Sequence, residues 1–141
     1  MTVMEPVDPQ TRIESLDRDA CLRLLAGDEV GRLGVVSGGA PLIFVVNYVL
    51  DGADVVFRSD SGTKVDHGMR APACFEVDGF DRSQRSGWSV LVSGRLEEVT
   101  RYNGRLWDRI TRLAVQPWAS GDKTRWMRLV PTSITGRRVS S

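Results

Sequence analysis

LIFVVNYVLDGADVVFRS, residues 42–59, decides the fold. Nine residues from Leu42 to Leu50 are apolar or β-branched with only Asn47 and Tyr48 interrupting, too short for a membrane span and rich in strand formers. Asp51-Gly52 follows, a strong hairpin signal because type I′ turns need positive φ at both central residues. DVVFRS, residues 54–59, is then the returning strand. Arg58 and Ser59 are therefore expected at a strand exit.

Working outward, GRLGVVS (31–37) reads as a strand and GGAP (38–41) as a turn. LDRDACLRLLAG (16–27) reads as a short helix capped by Asp17, with Leu16 and Cys21 spaced for a hydrophobic staple and Gly27 at its end. On the other side, Lys64 to Arg70 reads as a short helix stopped at Ala71-Pro72. ACFEVDGF (73–80) alternates as a strand, and GWSVLVSGRLEEVT (87–100) is a long strand with a bend expected at Gly94. Helical spacing returns from Tyr102 to Val115 with Thr100 as a possible cap, and RWMRLVP with TSITGRRVS gives one or two last strands. The expected fold is α+β, a mainly antiparallel six-stranded sheet with two or three short helices, and six strands of this length favour closure into a barrel.

The 141 residues fit one domain, expected over 16–141 behind a flexible arm at 1–15. With 41% apolar and 26% charged residues the composition is that of a soluble globular protein. The N-terminal stretch carries acids and prolines where a secretory signal needs a cationic start and an apolar core, so a cytoplasmic location is expected. Cys21 and Cys74 sit among apolar neighbours and read as buried, reduced thiols. Nineteen basic residues against 18 acidic ones give no field that gathers nucleic acid, and no partner of that kind is expected. His67 is the only histidine and no Cys or His pair has ligand spacing, so no metal site is expected.

The segment FRSDSGTKVD, residues 57–66, carries the chemistry. Arg58, Ser59, Ser61, Thr63 and Lys64 crowd around Gly62 at a strand-to-helix turn, where free N–H groups, hydroxyls and two cations suit a phosphate monoester. A solvated polar turn with a helix cap explains the same composition. No Walker spacing and no GxGxxG accompanies it, and no GxSxG serine is present. Trp88 opens a strand after a polar loop, where it suits a planar ligand, a partner chain or the core.

Taken as an ordered set, VGRLGVV, VNYVLDG, VVFRSDSGTK, FEVDGFD, GWSVLVSGR and RWMRLVPTSITGRR resemble the pyridoxamine 5′-phosphate oxidase-like flavin-binding proteins from about residue 16 to 139. The resemblance implies a split β-barrel homodimer with two FMN molecules between the subunits. It implies Val46, Asn47 and Tyr48 beside the isoalloxazine ring, and Arg58, Ser59, Ser61, Thr63 and Lys64 around the FMN phosphate. Trp88 and Ser89 are expected from across the interface, with Arg137 or Arg138 near the ring or substrate. The activity implied is hydride or electron transfer through flavin N5 to a small molecule, with no side chain required as acid or base. The deazaflavin coenzyme F-420 is an alternative ligand, and a non-catalytic flavin or haem carrier an alternative role. GRRVSS, 136–141, lacks the histidine-bearing motif with which the family's vitamin B6 oxidase holds its substrate phosphate, so pyridoxamine phosphate oxidation is not expected.

Overall fold

A computed structural model describes residues 12–60, 72–119, 121 and 123–140. Seven strands and two helices occur among them: β1 Arg12–Leu16, α1 Arg18–Ala26, β2 Val30–Ser37, β3 Ala40–Asp51, β4 Asp54–Ser59, β5 Pro72–Asp81, β6 Ser86–Val99, α2 Arg105–Ile110 and β7 Arg125–Ser140. The expected helix over 64–70 lies outside the described residues. All pairings are antiparallel in the order β1-β7-β4-β3-β2-β5-β6, and β6 pairs back onto β7, closing six strands into a barrel. One edge of β7 is shared: Arg125–Leu129 pairs with β4 and Gly136–Ser140 with β1. Between these two pairings the edge is split.

The inner lining comes from period-2 alternation. Leu33 and Val35, Val55 and Phe57, Phe75 and Val77, Val90 and Val92, and Met127 and Leu129 are buried in one cluster, and α1 closes an end with Cys21 and Leu25. Asp17 caps α1 as expected, its Oδ1 accepting from the Ala20 N–H at 2.8 Å. Tyr48 crosses the interior, its ring edge-on to Phe75 with centroids 4.9 Å apart, and its hydroxyl donates to the Leu25 carbonyl. A smaller cluster outside the barrel packs α2 through Ile110, Trp107 and Leu106 against Val56, Val99 and Trp126.

Four local features differ from expectation. Arg12–Leu16, mostly inside the stretch read as an arm, is an edge strand on β7. The second helix is only Arg105–Ile110, because Gly104 takes φ 57° after a 3-10 turn at Arg101–Asn103, and the Thr111 hydroxyl donates to the Trp107 carbonyl at 2.8 Å at its far end. The central turn residues of the β3–β4 hairpin are Gly52 and Ala53, with positive φ at Gly52 alone, as in type II′. Positive φ at both centres occurs instead at Gly38 and Gly39 between β2 and β3. Finally, Cys21 is buried but Cys74 is exposed, since it shares the outward face of β5 with Glu76 and lies across Gly34.

The bend expected at Gly94 is a β-bulge opposite Pro131–Ser133. A Cβ on Gly94 would lie 2.1 Å from the Val130 carbonyl oxygen, so the two backbones meet where only glycine fits. Beyond the bulge β7 runs on as one strand, and β6 stays paired along it from Val99 to Gly87.

Candidate functional site

Strand alternation sorts the expected site residues onto two faces. Val46, Tyr48, Ser59 and Trp88 share the inward parity of the buried cluster, whereas Asn47, Arg58, Ser89 and Arg137 share the outward one. Tyr48 is 2% exposed, so from that position only its backbone faces outward. Ser61, Thr63 and Lys64 lie outside the described residues.

The first group of outward residues is at the open end of the β3–β4 hairpin. Asn47 and Arg58 each lie one residue beyond the Tyr48–Phe57 pair on their own strand. The Asn47 amide is committed to structure: its Oδ1 accepts from the Trp118 N–H at 2.8 Å and its Nδ2 donates to the Glu29 carbonyl at 3.3 Å. Together these bonds pin the loop after α2 to the barrel and border a cleft of about 440 Å³ lined by Asp28, Glu29, Asn47, Gln116 and the exposed Trp118.

Arg58 is held from two sides. Its Nε donates to the Lys123 carbonyl at 2.9 Å, and its guanidinium carbon lies 5.2 Å from the centre of the cross-strand Trp126 ring. No described residue takes its two terminal nitrogens. Lys123, one of only two lysines in the chain, places Nζ 2.8 Å from Asp60 Oδ2. The Ser59 hydroxyl and Asp60 Oδ1 are buried without a hydrogen-bond partner among the described residues. Buried polar atoms are normally hydrogen-bonded. The Arg58 guanidinium suits a phosphate on the outward face of the strand exit, while the Lys123 ammonium is engaged by the Asp60 carboxylate and the Ser59 hydroxyl lies on the inward face. Asp60, Lys123 and Trp126 were not among the residues expected from sequence. Lys123 had a signal in its rarity, but its partners are 63 and 65 positions away.

The second group is at the opposite end of β7. Asp78 pairs with Ser89 and Ser89 with Arg137, while on the inward side Gly79 pairs with Trp88 and Trp88 with Arg138. A Cβ on Gly79 would meet the Trp88 indole at 2.8 Å, so the indole lies against a bare backbone and is half-buried on the core. Asp78, Phe80, Arg82, Arg85, Ser89 and Arg137 border an open pocket of about 510 Å³. Arg58 and Arg137 are thus separated by the eleven steps of β7 from Trp126 to Arg137, about 35 Å along the strand.

Between the two ends, the outward face of β2, β3, β5 and β6 exposes Val36, Ile43 (74%), Val45 (71%) and Leu91. Arg32 crosses it, with Nη1 3.4 Å from Glu76 and 3.7 Å from Asp78. Partial burial and the neighbouring Asp78 carboxylate push Glu76 up to about 7, against the pull of Arg32.

The family model described as pyridoxamine 5′-phosphate oxidase matches residues 17–138. The chain is 32% identical over 139 residues to the uncharacterized protein Rv0080 of Mycobacterium tuberculosis, covering 93% of this chain and 90% of that one. Among solved structures it is similar to the FAD binding protein from Mycobacterium smegmatis, with 32% identity, TM-score 0.79, and 91% of this chain and 99% of that one covered. An FAD-binding protein from Mesorhizobium loti is 25% identical with TM-score 0.73, over 93% of this chain and 99% of that one. The split barrel and these matches together place the chain in the pyridoxamine 5′-phosphate oxidase family.

Proposed function

We propose that this protein is a flavin-dependent oxidoreductase that binds its cofactor between the two subunits of a homodimer, through an FMN moiety present as FMN itself or as half of FAD. The observation that carries the reading is the β4 exit, where Arg58 is held by Trp126 and Lys123 with its terminal nitrogens untaken by described residues. Membership of the family and similarity to two FAD-binding proteins support it.

The placement of the two groups along β7 supports a second copy. Arg58, beside Trp126, and Arg137 lie eleven residues apart at opposite ends of β7, so a second copy of the chain is the source from which one cofactor could meet both kinds of group. The exposed apolar row of Val36, Ile43, Val45 and Leu91 gives that second copy a surface to cover. A bound flavin supplies a ring that exchanges a hydride or single electrons with a small molecule. The chain's own task is to anchor the phosphate at Arg58 and, through the Asn47 clamp on the 116–118 loop, to fix the wall beside the ring. Titration with FMN and, separately, with the deazaflavin tests this. Saturable FMN binding with a shifted flavin absorbance band is expected, whereas binding of the deazaflavin alone or of neither would overturn it.

A further inference from the structure

One row of the outward sheet face runs Val45, Arg32, Glu76 and Leu91 across β3, β2, β5 and β6 in direct register. Its two ends are exposed and apolar, and a charge cluster fills its middle. Arg32 Nη1 lies 3.4 Å from Glu76 Oε1 and 3.7 Å from Asp78 Oδ1. Glu76 and Asp78 are two positions apart on β5, so both carboxyls stand on the same face. No other described residue makes an ion pair with either of them. Around the cluster, β5 adds the Cys74 thiol, β3 and β6 present the uncharged Val45, Leu91 and Ser89, and β7 brings Arg137. Arg137 is two strands from Asp78, with Ser89 between them.

One guanidinium cannot neutralise two carboxylates, so with both acids ionised the cluster carries a net negative charge. In the single chain all three side chains are partly exposed and water screens that charge. A second copy seated on Ile43, Val45 and Leu91 takes the cluster out of water, where an uncompensated charge is strongly disfavoured. One proton removes the excess, leaving a carboxylate for Arg32 and a neutral carboxyl that donates to it. Resting on the homodimer proposed above, we infer that subunit association takes up one proton per chain at the Arg32–Glu76–Asp78 cluster, so that the dimer tightens as the pH falls. Glu76 is the acceptor, since burial, the hydrogen bond to Asp78 and the Asp78 charge already push its carboxyl up to about 7 in the single chain. Below that pH the free chain holds the proton already, and association does not depend on pH. Above it, each symmetric dimer takes back two protons that the free chains have released, and the association constant falls by up to about 100-fold per pH unit. A flavin shared between the subunits is released over the same range.

The test is sedimentation velocity of the full-length protein with excess FMN, across a dilution series at pH 6.5 and at pH 8.5, for the parent, Glu76→Gln and Asp78→Asn. The parent dimer is expected to have a dissociation constant about tenfold or more higher at pH 8.5. Glu76→Gln imitates the protonated carboxyl and Asp78→Asn removes the second carboxylate, so either change leaves the cluster without excess charge. Each variant is therefore expected to associate equally at both pH values, about as tightly as the parent at pH 6.5. A parent dimer equally stable at both pH values overturns the proton uptake and leaves the homodimer standing, as does a pH dependence that either variant retains. A parent that stays monomeric at both pH values overturns the homodimer and the proton uptake together.

Discussion

Replacing Arg58 by alanine separates its two roles. In the free protein the side chain contributes one N–H···O bond to the Lys123 carbonyl and a stack on Trp126, both partly exposed. Their loss should cost about 1 kcal/mol for the hydrogen bond and about 0.5–1 kcal/mol for the stack. In the flavin complex the untaken terminal nitrogens add a charge-assisted contact to the phosphate, worth about 2–3 kcal/mol and hence roughly 30- to 150-fold in affinity. Arg58→Lys keeps the charge but loses the fork and the stack, so an intermediate loss is expected. The assay is calorimetric titration at one ionic strength with FMN and with riboflavin, which has the ring and no phosphate. Arg58→Ala should weaken FMN and leave riboflavin unchanged. Unchanged FMN affinity, or equal losses for both ligands, would refute the assignment of Arg58 to the phosphate.

Three further outcomes follow from the barrel. Tyr48→Phe removes the buried hydroxyl bond to the Leu25 carbonyl that ties α1 to β3, and should destabilise by about 1–2 kcal/mol in urea unfolding with little change in slope. Gly94→Ala places a methyl 2.1 Å from the Val130 carbonyl and should cost about 2 kcal/mol or more, whereas Gly39→Ala meets no atom and should cost only about 1 kcal/mol for its φ of 80°. Glu76 is held up to about 7, above its unfolded value, so the native state binds the extra proton between about pH 4.5 and 7. Stability from this group is therefore present at low pH and lost as pH rises through 7. Glu76→Gln should flatten that part of the melting-temperature profile and melt higher than the parent at pH 8.

The β3–β4 hairpin, the Asp17 cap and the Gly94 irregularity were legible because each rests on local chemistry: β-branched alternation, a side chain reaching the next turn, and a glycine inside a strand. β1 was not, since RIESL leaves four of five residues exposed and is held by main-chain bonds to Gly136–Ser140, a contact with no sequence pattern. The second helix was read too long because Gly104, tolerable inside a helix, instead takes a positive φ there. At the candidate site, Arg58 and Ser59 could be read together as neighbours, yet alternation sends them to opposite faces of β4. The companions of Arg58, Lys123 and Trp126, arrive from β7 and the loop before it, through closure of the barrel.

The most direct measurement is native mass spectrometry of the full-length protein after equilibration with excess flavin. A flavin site shared between subunits predicts a dimer carrying two flavin molecules, with no flavin on any residual monomer. A monomer that retains flavin, or a dimer that takes up none, would contradict it.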